Sequence, residues 1–196
     1  MVESQIEVVP ATADRWNDVV ELFGTRGDAA HCWCQWFVSS SSYGKPEAKQ
    51  ALHAQMEQAT PPGLVAYVGG VPVGWLRVNP LVVLPGMTRS RAFKQWGAAL
   101  GADLAGIWMM SCFVVKVGHR RQGVARVLLR DGIAFARDHG ARRLLARPID
   151  LSARPKTSSA ELFVGTLSTF LDSGFHEVAR LRPYQALVEM TIEESR

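Results

Sequence analysis

Residues 112–140 place a predicted strand, a glycine-containing turn and an amphipathic helix in direct succession, and this run constrains the fold more than any other stretch. The strand is indicated by four bulky, mostly β-branched side chains, Phe113, Val114, Val115 and Val117. The helix is indicated by apolar residues that recur on one face with the helical period, namely Ala125, Leu128, Leu129, Gly132, Ile133 and Ala136. Gly140 supplies a typical C-terminal stop. The run therefore predicts a strand, a turn and a helix that begins near Gly123.

The turn before this helix is suited to bind an anion. The first N–H groups of a helix have no intrahelical partner, and the aligned peptide dipoles make that end electropositive. Gly123 has no side chain, so a ligand can approach the backbone closely, while Arg120, Arg121 and Arg126 add positive charge. Two interpretations stay open at this point: a phosphate or pyrophosphate site, or an ordinary strand-to-helix turn with a solvated basic face.

The spacing Arg120-Arg-Gln-Gly123-Val-Ala125 resembles the R/Q-x-x-G-x-G/A loop of the GNAT superfamily, the CoA-dependent N-acetyltransferases. Alanine stands at the last position, where glycine is common. No Gly-Lys-Ser/Thr follows and the pattern is not G-x-G-x-x-G, so neither a Walker loop nor a dinucleotide fold is supported. Gly174-Phe175 resembles the family segment that ends the last helix. The resemblance extends from about residue 6 to residue 192.

The resemblance implies an α/β fold with a mixed sheet of six to seven strands and flanking helices, in a single domain over residues 1–196. It also implies acetyl-CoA as co-substrate, held largely by backbone groups between two parallel, splayed central strands. The pantetheine arm and acetyl carbonyl would pair with the strand, and the pyrophosphate with the loop. The implied cofactor-binding residues are Phe113, Val114, Val115, Arg120, Arg121, Gln122, Gly123, Val124, Ala125 and Arg126.

By this resemblance the protein transfers an acetyl group directly to a primary amine of a small molecule or a protein. Many family members use a tyrosine as general acid at the position that is Phe170 here, and phenylalanine cannot donate a proton. Cys112 and Ser168 are the substitutes that we name as candidate catalytic residues, with Thr166, Thr169 and water as further possibilities. No general base stands out. The alternative is a non-catalytic module that binds acyl-CoA as a sensor.

Residues 31–37 are dense in aromatic and sulfur side chains, and three interpretations compete for them. They can pack in the core, line the acceptor pocket, or bind a metal through His31, Cys32 and Cys34. A metal is disfavoured because no second Cys or His pair stands at zinc spacing. The segment also resembles a Cys-Trp-Cys-aromatic segment of a bacterial GNAT subgroup. We expect both core packing and a pocket wall, with Trp33 and Trp36 as substrate-binding residues.

Composition limits the partners. The net charge is +4, and many arginines cluster in the second half of the chain, at positions 120, 121, 126, 130, 137, 142, 143, 147 and 154. A polyanionic cofactor explains this cluster without nucleic acid, for which no base-stacking or groove-reading motif is present. There is no apolar run long enough to span a bilayer and no signal peptide, so we expect a cytoplasmic protein without a membrane partner. The resemblance suggests a homodimer.

The remaining pattern predicts the other elements of the domain. Residues 79–106 are the least readable part, and we expect there either an acceptor loop or lid, or a mobile insertion. Ser158 or Ser159 is expected to cap a helix that continues to about residue 171. The predicted strands cover residues 5–9, 64–68, 73–78, 107–116, 143–148, 175–181 and 184–190, and the other predicted helices cover residues 13–23, 46–59 and 93–100.

Overall fold

The computed structural model describes residues 5–39, 45–100, 104–158 and 160–192. Within these ranges the chain forms one seven-stranded sheet with the spatial order β1-β2-β3-β4-β5-β7-β6. Strands β4 and β5 are parallel, and every other neighbouring pair is antiparallel. The expected mixed sheet, with a parallel pair at its centre, is confirmed. The strands are β1 Ile6–Pro10, β2 Gly63–Val68, β3 Val71–Pro80, β4 Ile107–Val115, β5 Arg143–Ala146, β6 His176–Arg182 and β7 Gln185–Thr191.

The helices flank this sheet. The α-helices are α1 Trp16–Phe23, α2 Gly27–Cys32, α3 Lys45–Met56, α4 Pro85–Thr88, α5 Arg91–Leu100, α6 Val124–Asp138 and α7 Leu167–Asp172. Short 3₁₀ turns lie at Ala13–Arg15, Leu81–Val83, Val117–His119 and Glu161–Val164. Of the helices described, none combines the length and apolarity that crossing a bilayer would require.

Helix α6 covers one face of the sheet and fixes the position of the loop before it. Val124 and Leu128 are buried against β3. The approach is close, because a Cβ placed on Gly74 of β3 would lie 2.6 Å from Cγ1 of Val124. Any side chain at Gly74 would therefore push the start of α6 away from the sheet. This contact holds the first turn of α6 directly beside the end of β4.

The opposite face of the sheet carries two further apolar clusters. Over β3 lie Trp33, Leu52 and Trp75, together with side chains from α1 and α3. Over β4, β5 and β7 lie Trp96 and Met109, together with side chains from the 81–96 region. The described part of the 79–106 connection is thus a packed layer, which is not the mobile insertion that was one of the two expectations. Residues 101–103 of this segment lie outside the described residues.

One predicted helix is wrong. Residues 158–171 were expected to form a single helix, but the chain forms the Glu161–Val164 turn and then α7, with a break at Gly165. Gly165 has a φ of 80°, and its carbonyl accepts a hydrogen bond from the Ile149 N–H at 3.0 Å. The capping prediction holds in part, since the Ser158 hydroxyl accepts from the Glu161 N–H at 3.3 Å. Pairing with a distant segment therefore overrides the local helical pattern.

Candidate active site

The two central strands separate beyond Met110 and Ala146. Their parallel pairing runs from Ile107 opposite Arg143 to Met110 opposite Ala146 and then stops. Past Ala146 the chain pairs elsewhere: the Ile149 N–H donates to the Gly165 carbonyl at 3.0 Å, and the Asp150 N–H to the Tyr184 carbonyl at 2.9 Å. Within the described ranges, strand β4 continues to Val115 with β3 alone as its partner strand. Residues 111–115 thereby present one strand edge without a neighbouring β-strand, where an extended ligand with amide groups can pair.

A β-bulge marks the point of separation. The register of β3 and β4 shifts between Arg77 opposite Cys112 and Val78 opposite Met110, which leaves Ser111 as the extra residue. Ser111 is fully buried, and its hydroxyl has no hydrogen-bond partner among the residues described. Sequence reasoning missed this residue. The available signal was a single hydroxyl inside an otherwise apolar strand, which is weak because one serine in a strand does not by itself indicate a site.

The loop after β4 has the geometry of an anion site. Gly123 has a φ of 86° and stands directly before α6, and Arg121 also has a positive φ of 60°. At the start of α6, the Arg126 N–H is the first that donates a hydrogen bond to a described residue, and it donates to the Gly123 carbonyl at 2.9 Å. The amides of residues 121–125 are therefore available to a ligand, at the positive end of the α6 dipole.

Two side chains of this loop fold back onto the backbone. Nε of Arg120 donates to the Val115 carbonyl at 3.1 Å, and Nε2 of Gln122 donates to the Gly118 carbonyl at 2.9 Å. These bonds link the end of β4 to the loop and hold its shape. The side chains of Arg121 and Arg126 are exposed beside the same helix start. The loop thus combines oriented amides with positive charge, as binding of a pyrophosphate requires.

A buried arginine on β3 lies directly beside the bulge, opposite Cys112. Arg77 is 2% exposed, and its Nη2 donates to Oε1 of Gln55 at 2.7 Å. Its Nε and Nη1 find no partner within the described ranges. Burial lowers the pKa of Arg77 to about 10, and it raises the pKa of the neighbouring Cys34 well above its usual range. Cys34 is therefore a neutral thiol at pH 7 and not a nucleophile.

The candidate catalytic residues lie in different surroundings. Cys112 is buried in the cluster over β3, whereas Ser168 is exposed on α7 with its hydroxyl 3.4 Å from that of Thr166. Phe170 is fully buried, and its ring is 6.1 Å from that of Phe113 and 5.1 Å from that of Phe175. Phe170, at the position where the resemblance implies a tyrosine in many family members, is thus a buried aromatic core residue.

The two tryptophans expected in the pocket are separated by the fold. Trp33 is 4% exposed and stacks on Phe23 with ring centroids 5.1 Å apart, so it belongs to the core. Trp36 is 69% exposed and lines a cavity. Residues 31–37 therefore supply both a core residue and a cavity wall, and of the two tryptophans only Trp36 lines the cavity that is described below.

The residues considered for a metal do not converge. A ring nitrogen of His31 lies 2.9 Å from the Gly27 carbonyl on the exposed side of α2. Cys32 is partly buried, and burial raises the pKa of its thiol to about 12. Cys34 points into the core beside Cys112. Across the described ranges, no group of three or more His, Cys, Asp or Glu side chains is arranged to hold a metal ion.

A cavity of about 600 Å³ opens beside the point where β4 and β5 separate. Its walls come from α5, the segment after β5, the Glu161–Val164 turn and the turn between β6 and β7. Phe163 connects it to the central strands, because this ring packs against the cluster that contains Cys112. The lining residues are Trp36, Arg91, Arg147, Ile149, Arg154, Glu161, Phe163, Val164, Arg182, Tyr184 and Gln185.

Comparison with known families agrees with this geometry. Residues 30–154, more than half of the chain, match the model of the acetyltransferase (GNAT) family. The chain belongs to the GNAT family. This GNAT chain has no significant match among curated protein sequences.

Solved structures resemble this GNAT chain over nearly its whole length. The GNAT domain of S. lividans PAT is 20% identical, with a TM-score of 0.59 over 95% of this chain and 90% of that one. The Salmonella typhimurium protein yncA, solved with its cofactor acetyl-CoA, is 15% identical, with a TM-score of 0.57 over 97% and 96%. The paia N-acetyltransferase of Thermoplasma acidophilum, solved with coenzyme A, is 12% identical, with a TM-score of 0.54 over 95% and 99%. At such identities the likeness shows the fold.

Proposed function

We propose that this protein transfers an acetyl group from acetyl-CoA directly to a primary amine. The observation that carries the proposal is the continuity between the open edge of β4 at residues 111–115 and the amides of residues 121–125, which have no hydrogen-bond partner in the part of the chain that the structure describes. An acyl-CoA has an extended arm with two amides followed by a pyrophosphate, in the same order. The two similar proteins solved with acetyl-CoA or coenzyme A support this assignment.

The backbone of β4 and its loop would do most of the binding. Phe113, Val114 and Val115 would pair with the pantetheine arm, and residues 120–126 would hold the pyrophosphate. An N–H group beside the acetyl carbonyl would stabilise the charge that develops on its oxygen when the amine attacks. The bulge at Ser111 changes the direction of these groups where the two strands part. Positioning of the thioester against the amine then supplies much of the rate enhancement.

Proton transfer has to occur without the usual tyrosine. The leaving thiolate needs little help near neutral pH, because a free thiol has a pKa of about 8.5. Cys112 and Ser168 stay candidate proton donors. Ser168 is accessible and close to the Thr166 hydroxyl, whereas Cys112 is buried on the strand that would hold the thioester. Loss of only a few-fold in kcat for Ser168→Ala and Cys112→Ala would leave water as the donor.

The proposal is tested by binding of acetyl-CoA to a loop variant. At about 100 times its Kd, acetyl-CoA stabilises the folded state by about 2.7 kcal/mol, which raises the Tm of a chain of this size by roughly 5–10 °C. We expect Gly123→Glu to abolish this shift, because it puts bulk and negative charge against the pyrophosphate. Gly140→Glu is the matched control, since Gly140 has a similar φ of 84° at the other end of α6 with open space around it.

An unchanged acetyl-CoA shift in folded Gly123→Glu would remove the pyrophosphate assignment. The second candidate, an acyl-CoA sensor without turnover, is favoured by Phe170 in place of the tyrosine. A thiol-release assay over a panel of amines separates the two functions. Release of CoA only in the presence of an amine supports the transferase, whereas binding without release from any amine supports the sensor.

A further inference from the structure

The cavity beside the central strands has an unusual charge. Four arginines line it, Arg91, Arg147, Arg154 and Arg182, against a single carboxylate, that of Glu161. Glu161 pairs with Arg154 at 2.7 Å. Arg91, Arg147 and Arg182 have no carboxylate partner within the described ranges, so three positive charges face one cavity without neutralisation.

Other arginines close to this region are paired. Arg143 forms two hydrogen bonds of 2.7 Å with Glu189, and Arg180 is bonded to both Asp150 and Glu177. Apart from Glu161, the acidic side chains named here therefore pair with arginines that do not line the cavity. This contrast indicates that the cavity charge is balanced by something other than the protein.

Arg147 is held in place by aromatic rings. Its guanidinium lies 5.1 Å from the ring centre of Phe37 and 5.9 Å from that of Trp96. Its Nε is buried and has no hydrogen-bond partner among the described residues. Burial lowers the pKa of Arg147, and the like charge of Arg182 lowers it further. A bound anion would relieve both effects, because it supplies a hydrogen-bond acceptor and an opposite charge.

The rest of the lining fits an organic molecule. Trp36, Ile149 and Phe163 give an apolar wall, and Tyr184 is fixed by the Arg182 guanidinium, whose Nη1 donates to the tyrosine hydroxyl at 2.7 Å. The volume of about 600 Å³ lies within the range of small-molecule sites. None of residues 120–126 lines this cavity, so its arginines are separate from the pyrophosphate loop.

We propose that the acetyl acceptor is a small amine that carries an anionic group, a carboxylate or a phosphonate. This inference rests on the proposed transferase function. The arginines would bind the anionic group, the aromatic wall would hold the remainder, and the amine would face the place where β4 and β5 separate. Transfer forms the N–C bond to the acetyl group and breaks the thioester C–S bond. The amine gives up one proton to solvent, and the leaving CoA thiolate takes one proton from solvent to become the thiol.

The first test compares each acceptor with its counterpart that lacks the anion. Thiol release from acetyl-CoA is measured for amino acids and their decarboxylated amines, such as tyrosine and tyramine or leucine and isopentylamine, and for 2-aminoethylphosphonate and ethylamine. We expect kcat/KM to be higher for the anionic member by about ten-fold or more, the size expected for lost charge-assisted hydrogen bonds. The two arms distinguish a carboxylate from a phosphonate. Equal rates within every pair would overturn the proposal.

The second test uses variants. Arg147→Gln and Arg182→Gln should each lower kcat/KM for the preferred anionic acceptor by about ten-fold or more, mainly through KM. They should lower it much less for the decarboxylated counterpart, so that the preference for the anionic member falls, and the acetyl-CoA shift should stay the same. Arg137→Gln is the control, because Arg137 is exposed on α6 and paired with Asp138 at 3.0 Å. The same loss in Arg137→Gln would overturn the proposal, since it would reveal only an effect of net charge.

A third measurement separates the two proposals. If no amine is acetylated although acetyl-CoA binds, the transferase function fails. The anion-binding role of the cavity is then tested by ligand binding alone. The panel of amino acids and 2-aminoethylphosphonate should then still raise the Tm of the wild type and not of the Arg147→Gln/Arg182→Gln double variant. No shift in the wild type, or competition between these ligands and CoA, would contradict a separate anion site.

Discussion

Trp33 and Trp36 are three positions apart, yet the fold gives them opposite roles. Trp33 and Cys34 both have positive φ values, 43° and 52°, which end α2 and turn the chain sharply. Such a conformation is uncommon for residues with side chains, so the surrounding packing must hold it. The turn directs Trp33 and Cys34 into the core and leaves Trp36 at the cavity.

Truncation of these two residues should have different effects. Trp33→Ala removes a buried ring stacked on Phe23 and should lower the free energy of unfolding by about 3–5 kcal/mol. Trp36→Ala should change it by no more than about 0.5 kcal/mol, because most of that side chain is exposed, but it should raise the acceptor KM. Urea denaturation and steady-state kinetics measure the two effects. An unchanged acceptor KM in Trp36→Ala would remove this residue from the proposed acceptor site.

At the scale of elements, the segment after β5 forms one wall of the cavity and is held by Asp150. The carboxylate of Asp150 accepts from the Ser152 N–H at 3.0 Å, from the Ser152 hydroxyl at 2.6 Å and from Nη1 of Arg180 at 2.8 Å. These bonds attach the segment to β6. The Ser152 hydrogen bond, and next that of Arg180, lowers the pKa of Asp150 to about 2.

A lowered carboxylate pKa makes the stability dependent on pH in a defined direction. The contribution of Asp150 is fully present above the unfolded pKa of about 3.9 and is lost as the pH falls through the folded pKa of about 2. Asp150→Asn should therefore unfold at lower urea than the wild type at pH 7, and the difference should shrink on acidification below about pH 4. Ser152→Gly removes only the hydrogen bond from the Ser152 hydroxyl to Asp150 and should reproduce part of the loss. A difference that stays constant down to pH 2 would contradict this role.

At the scale of the whole molecule, β4 joins the two halves of the candidate site. Its first half is paired on both sides, and among the strands that the structure describes its second half is paired only with β3. The same strand can therefore be rigid where it holds the core and open where it would bind the co-substrate. The close packing of α6 on β3 keeps the loop at the end of this open edge.

Hydrogen exchange tests this arrangement. Acetyl-CoA should slow exchange at residues 111–115 and 121–126, by up to roughly 100-fold at about 100 times Kd, because bound molecules exchange only after release. Exchange in β1 and β6 at the two edges of the sheet should change little. Protection confined to the edge strands, without any at residues 111–126, would place the co-substrate elsewhere.

Local patterns were sufficient for most of the architecture. The strand, loop and helix at residues 112–140 were predicted because each part has a signal that is contained within a few residues: β-branched side chains, then glycine and arginine, then the helical period. The other predicted strands and helices also occur, while α2 and α4 were not predicted. The helix predicted over residues 158–171 failed because Gly165 pairs with Ile149, a contact between distant residues that a local period does not contain.

In the candidate site too, one part could be predicted from local sequence and the other part depends on the fold. The sequence by itself determined the loop at residues 120–126 that we propose as the cofactor site, since its amides and charges come from consecutive residues. It could not assign the arginines, which were attributed together to a polyanionic cofactor. In the fold, Arg120, Arg121 and Arg126 lie at the loop, Arg143 pairs with Glu189, and Arg147 and Arg154 line the cavity with Arg91 and Arg182. Only the tertiary structure decided which arginines go to which site. The separation of β4 from β5 brings segments that are more than a hundred residues apart to one cavity. Whether an arginine is paired then depends on which carboxylates lie within reach of it in the fold.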